Sequence, residues 1–246
     1  MRNIMSRVRM CFNWQAKSLQ VLSRQKLYLS MIESYEEVIE IRQNLVDSCL
    51  AEMTFKDHLF GEKKKELARQ KQELADAQAT REKHIQTFRE LKEEFQRLEA
   101  QEPADRMGDL MEIAAEDPAN LRELSYMNAR LCFISTEAEL MDLDSTLGNI
   151  AFELENKSTY GGADEEAVEK DYAKAMGLAK ECGPYLETFE AEMEELGIEW
   201  TMGEFLEDPY TMDTTRLYSV KKAQIDVQTA QATMEEIIDR LMDEFE

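Results

Sequence analysis

Residues 26–53, KLYLSMIESYEEVIEIRQNLVDSCLAEM, decide the fold. Leu27, Met31, Ile32, Tyr35, Val38, Ile39, Leu45, Val46, Cys49, Leu50 and Met53 step by three and four, the spacing of a helix face, with no glycine or proline among them. The same reading extends outward on the C-terminal side. Between Gln25 and Ala100 there is no proline, and Gly61 is the only glycine. Phe60, Leu67, Leu74, Phe88 and Phe95 fall on a seven-residue grid with Ala77, Leu91 and Leu98 on the complementary one, while Gln70, Arg81 and His84 interrupt the seam. Lys63, Lys64 and Lys65 sit among glutamates at i,i+4 spacing, which describes a solvated helix face rather than a binding patch. A continuous helix of about 75 residues at ~1.5 Å each would be a rod of roughly 110 Å. One rod has nothing to bury its stripe against, so a second arm is required.

That arm is sought beyond Pro103, in AQEPADRMGD, which marks a bend. A short apolar helix, MEIAAED, follows, and then Asp117-Pro118, an N-cap residue and a first-turn proline. From Ala119 to about Lys157, Leu121, Leu124, Met127, Leu131, Ile134, Ala138, Met141, Leu147, Ile150 and Leu154 form a second stripe, predicted to return against the first arm as an antiparallel hairpin. STYGGADEE holds the only Gly-Gly, Gly161-Gly162, and is the expected hinge, with Asp164 as the next cap. Helices are then predicted over 165–182, stopped by Gly183-Pro184, over 185–196, stopped by Gly197, and over 214–245. The connector IEWTMGEFLEDPYTMD carries Trp200, Phe205 and Tyr210 for aromatic packing. With 9 Gly and 4 Pro in 246 residues there are too few turns for a sandwich or barrel. The expected fold is all-α: an amphipathic helix over 1–24, a long coiled-coil-like hairpin over 25–158 and shorter acidic helices over 159–246.

Charge divides the chain unevenly. Residues 1–25 carry Arg2, Arg7, Arg9, Lys17 and Arg24 and no acid, for +5; residues 26–100 come to −3 and residues 101–246 to −25, giving −23 in all. So acidic a chain is not a general nucleic-acid binder, because phosphate neutralisation needs clustered Lys and Arg. Cys11, Cys49, Cys132 and Cys182 lie far apart without a CxxC pair, which fits a reducing compartment and no zinc or disulfide framework. No stretch is long and apolar enough to span a bilayer, so the expectation is a cytoplasmic protein, peripheral at most on the inner face of a membrane.

Within the cationic head, Met1, Ile4, Met5, Val8, Cys11, Phe12, Leu19 and Leu22 gather on one side of a helical wheel, and Arg2, Arg9, Lys17 and Arg24 on the other. Three readings are open. The stripe enters a membrane interface while the cations meet anionic headgroups, each worth about 1 kcal/mol; or it docks on the rest of the protein, cations toward the acidic region; or it is a presequence. The first makes Arg2, Ile4, Met5, Arg7, Val8, Arg9 and Phe12 the membrane-binding residues.

Catalytic chemistry finds no supplies. His58 and His84 are the only histidines, and neither belongs to an HExxH or ExxH arrangement. Asp142, Asp144 and Glu153 occupy positions 1, 3 and 12 of a calcium loop, but Leu147 stands where its glycine belongs. Phosphate-cradling and nucleophile-elbow strings are missing. The reading is a non-enzyme without metal or cofactor.

KLYLSMIESYEEVIEIRQ over 26–43, just after the head, and KKKELARQKQELADAQATREKH over 63–84 resemble the first hairpin arm of the phage-shock-protein A branch of the ESCRT-III superfamily. The resemblance spans about 40 residues and implies an all-α protein that polymerises and remodels membranes. It implies insertion by Ile4, Met5, Val8 and Phe12, and headgroup contact by Arg2, Arg7 and Arg9. Two functions are therefore carried forward. One is a self-assembling homo-oligomeric scaffold that binds an anionic membrane surface through its head. The other is a soluble coiled-coil adaptor or chaperone whose acidic helices bind a basic protein partner.

Overall fold

The computed structural model describes residues 4–52, 61–160 and 165–245, with backbone alone for Glu62 and residues 156–160. Among the described residues the fold is all-α, without strands: α1 (Ile4–Glu52), α2 (Glu62–Glu99), α3 (Met107–Ala115), α4 (Leu121–Tyr160), α5 (Glu165–Leu196), the single turn α6 (Glu204–Glu207) and α7 (Leu217–Phe245). The chain divides into two compact units, one of residues 1–23 with 101–246 and the other of residues 24–100.

The smaller unit is a hairpin of α1's C-terminal part and α2. Its register is antiparallel, since partner numbers fall along α2 as they rise along α1. Gln25 Nε2 donates to the Leu91 carbonyl at 3.1 Å, Tyr28 and Tyr35 flank the His84 ring at 5.6 and 5.4 Å, Glu36 pairs with Arg81, Arg42 with Glu73 at 2.5 Å, and Glu52 with Lys63. Ile32 and Val46 on one helix and Leu74, Ala77, Leu91 and Leu98 on the other are buried. The hairpin is thus made within 24–100. The arm's own second half supplies a partner for its stripe, and residues 119–157, expected to return against it, belong to the other compact unit. His84, expected as a surface side chain, is half-buried between two tyrosines; His58 lies outside the described residues.

The larger unit is organised around α4, which packs chiefly against α5 and α7. Leu140, Leu143, Leu147 and Ile150 are buried on one side of this helix and Met127, Ile134 and Ala138 on the opposite side, as an interior helix requires. Its entry follows the sequence: Asp117 accepts from the Ala119 amide at 3.0 Å, Pro118 opens a 3-10 turn, and α4 begins at Leu121. Gly161, Gly162 and Asp164, the expected hinge and cap, lie outside the described residues.

The helix predicted to stop at Gly183-Pro184 runs on, for α5 spans Glu165–Leu196 with Pro184 inside. Pro184 withholds one amide and crowds the preceding turn, a cost of about 3 kcal/mol in a bare helix. Cys182, Leu186, Phe189 and Met193 are buried along one face of that helix, and the burial of four such side chains exceeds the cost. Phe189 meets Trp200 edge-on at 4.9 Å, and the Trp200 indole donates to Thr233 Oγ1, which fastens the aromatic connector to α7. Helix α5 ends at Gly197, whose φ of 70° lets the Ile198 amide reach the Met193 carbonyl at 2.8 Å.

Candidate interaction surfaces

The N-terminal part of α1 is a structural member of the larger unit. Met5, Val8 and Phe12 are 4%, 0% and 2% exposed, Cys11 and Ala16 are buried with them, and Ile4 and Leu19 pack at the edge of the same cluster. The Phe12 ring lies 6.4 Å from that of Tyr126, the Arg130 guanidinium sits 5.6 Å above Phe12, and Tyr126 stacks on Phe245 at 5.1 Å. Helix α1, the start of α4 and the end of α7 thus meet at one aromatic column.

Two cations of the head, Arg7 and Arg9, are engaged as well. Arg7 forms a two-pronged pair with Asp105, its Nε reaching Oδ2 at 2.9 Å, and Arg9 grips both oxygens of Glu123 at 2.5 and 2.7 Å. The Arg7 guanidinium holds the Asp105 carboxyl below its ordinary range, and burial pushes the Cys11 thiol above its usual value. Of the seven residues expected at a membrane, the structure places Met5, Val8 and Phe12 in the interior, Ile4 at its margin, and Arg7 and Arg9 on acids of their own unit. Arg2 is outside the described residues. The cause is the composition of 105–130, which offers Asp105 and Glu123 to the cations and Leu110, Ala114, Leu124, Tyr126 and Met127 to the stripe.

With the head folded in, the unit of residues 1–23 and 101–246 carries a net −21, and the hairpin unit −2. Elsewhere the acids make ordinary contacts. Asp142, read in sequence as the first position of a failed calcium loop, binds Lys174 at 2.8 Å, and Asp144 accepts from Gln224 and Gln228. Among the described residues no three His, Cys, Asp or Glu side chains are grouped to hold a metal ion. Nor is any described helix long and apolar enough to cross a membrane.

Exposed apolar side chains occur on both units, among them Phe152 and Ile225 on the larger one and a row along α1 on the hairpin. Met31, Val38, Ile41 and Leu45 of α1 are 37%, 37%, 60% and 40% exposed. The apolar residues of 26–53 read as one face in sequence, yet at ~100° per residue they occupy two arcs. Tyr28, Ile32, Tyr35, Ile39 and Val46 form the arc turned to α2. Met31, Val38, Ile41 and Leu45 form another, roughly 100° away. Doubled spacing such as Met31-Ile32, Val38-Ile39 and Leu45-Val46 is the sequence signal for two arcs rather than one.

No protein-family model, curated protein or solved structure matches the chain.

Proposed function

We propose that the protein is a non-enzymatic helical adaptor that binds a basic protein partner. The observation that supports this reading over a membrane-binding scaffold is the enclosure of the opening stripe, Met5, Val8 and Phe12, within its own unit. Moving that stripe into a leaflet re-buries its own side chains but strips cover from Tyr126 and its neighbours, at roughly 1.5–3 kcal/mol for each large side chain exposed. Arg7 and Arg9 would also leave their carboxylates, and the about 1 kcal/mol that each gains at an anionic leaflet replaces a partner already held. What faces outward is an acidic surface, net −21 over one unit, and an apolar stripe on the other. Both suit a cationic, amphipathic protein partner.

Sedimentation with anionic vesicles tests the choice. The full chain is expected to stay in the supernatant at low and at high salt. Pelleting that disappears when residues 1–24 are removed would overturn the adaptor reading in favour of a lipid-binding head.

A further inference from the structure

We infer that the groove between the C-terminal half of α5 and the connector that follows it is the docking site of a basic segment of a partner protein. This rests on the adaptor reading and names its site. Gly197 turns the chain back at the end of α5, and the Ile198 amide returns to the Met193 carbonyl, so the connector lies beside the last turns of the helix. The groove so formed has a volume of about 420 Å³, with Ala191, Ile198 and Trp200 as its apolar lining. Trp200 is held in place by the Phe189 ring and by Thr233 Oγ1, so this lining is set before a partner arrives.

Charge selects the occupant. From Glu181 to Thr215 the chain has eleven acids and no Lys, Arg or His. Four of those acids, Glu187, Glu190, Glu194 and Glu199, line the groove. Among the described residues they have no ion pair or hydrogen bond, whereas Glu192 accepts from Asn128 and Glu204 pairs with Lys222. A cleft lined by charge of one sign concentrates ions of the other. The four carboxylates do not gather at one point to hold a metal ion. Glu187 and Glu194 stand two turns apart, about 10 Å along α5, which matches cations spread along a segment. A Lys or Arg side chain answers both parts of the groove, its aliphatic stem against Ile198 and Trp200 and its charged end on the carboxylates. An anionic leaflet is repelled by the same four groups.

The test uses the full chain and two fluorescein-labelled, alanine-based helical peptides of about 18 residues, one with lysine at i, i+4, i+7 and i+11 and the other with glutamate there. Fluorescence anisotropy is expected to show the lysine peptide bound, more weakly as salt rises, and the glutamate peptide unbound. Two variants of equal charge locate the binding. Glu187→Gln/Glu190→Gln/Glu194→Gln/Glu199→Gln is expected to keep the native circular dichroism and to weaken binding at least about tenfold. Glu102→Gln/Asp109→Asn/Glu112→Gln/Glu116→Gln, at exposed acids of the same unit outside the groove, is expected to change it less than about threefold. Ala191→Arg, at an exposed helix position inside the groove, should also weaken it at least about tenfold. In Trp14→Phe protein, where Trp200 is the one tryptophan, its emission should change as the lysine peptide binds. Equal loss in the two quadruple variants, or an unchanged Trp200 emission, would overturn this inference while leaving the adaptor reading on the acidic surface as a whole. Absence of binding by either peptide would overturn both. Self-association of native protein that the four groove substitutions abolish, seen by light scattering, would assign the groove to a second copy and overturn the inference alone.

Discussion

Phe12→Glu is expected to unfold the larger unit, not to abolish an attachment to lipid. Phe12 is 2% exposed, beneath the Arg130 guanidinium and beside Tyr126. Removing a buried phenylalanine costs about 3–5 kcal/mol, and a carboxylate in the space left behind adds the cost of burying a charge. Arg130, 5.6 Å from the Phe12 ring and already bonded to the Tyr126 hydroxyl, offsets part of that charge. The loss is comparable with the whole stability of a typical domain, about 5–15 kcal/mol. Urea titration followed by circular dichroism should show a first transition, from the larger unit, displaced far toward lower denaturant or already passed in buffer. A native-like transition in the variant would mean that Phe12 is not in the interior.

Tyr126→Ala carries the second large effect. Its ring lies between Phe12 and Phe245, so one substitution loosens α1 and α7 together from α4. A loss of about 3–5 kcal/mol is expected from truncating an aromatic side chain this deeply enclosed. Coupling is the more informative readout. The cycle formed by Phe12→Ala, Tyr126→Ala and the double variant should give an interaction of about 0.5–1.5 kcal/mol, the range for aromatic pairs in contact. Strict additivity would separate the two rings and remove the head from its place.

The helical class was legible because apolar steps of three and four run almost unbroken from the head to residue 100, and resume after Asp117-Pro118. Asp117 as a cap and the final helix could be read for the same local reason. Which stripe meets which was not legible. Residues 25–100 hold two helical arms of similar composition, and nothing local to Gly61 announces that α2 turns back on α1 rather than waiting for 119–157. Pro184 misled for a physical reason, because a proline penalty is local while the burial of Leu186 and Phe189 that outweighs it is tertiary. The head shows the same limit most clearly. Amphipathicity and positive charge describe a helix that will bury one face and pair the other with acid, and they are indifferent to whether the acid is lipid phosphate or Asp105 and Glu123. The signal for docking was spread over residues 105–130, where an apolar run is edged by those two carboxylates, a hundred positions away.

Cys11 reports on this directly, since its thiol is buried in the stripe beside the Asp105 carbonyl at 3.6 Å, whereas Cys49 on the hairpin is half-buried. The measurement is the rate at which a maleimide labels Cys11 in native protein, located by peptide mass mapping, with and without anionic vesicles. Labelling of Cys11 only as fast as the larger unit unfolds, as slow as that of the interior Cys132 and unchanged by vesicles, is the result the docked head predicts. Labelling of Cys11 at the rate of an exposed thiol while Cys132 stays protected, or its acceleration by vesicles, would contradict it.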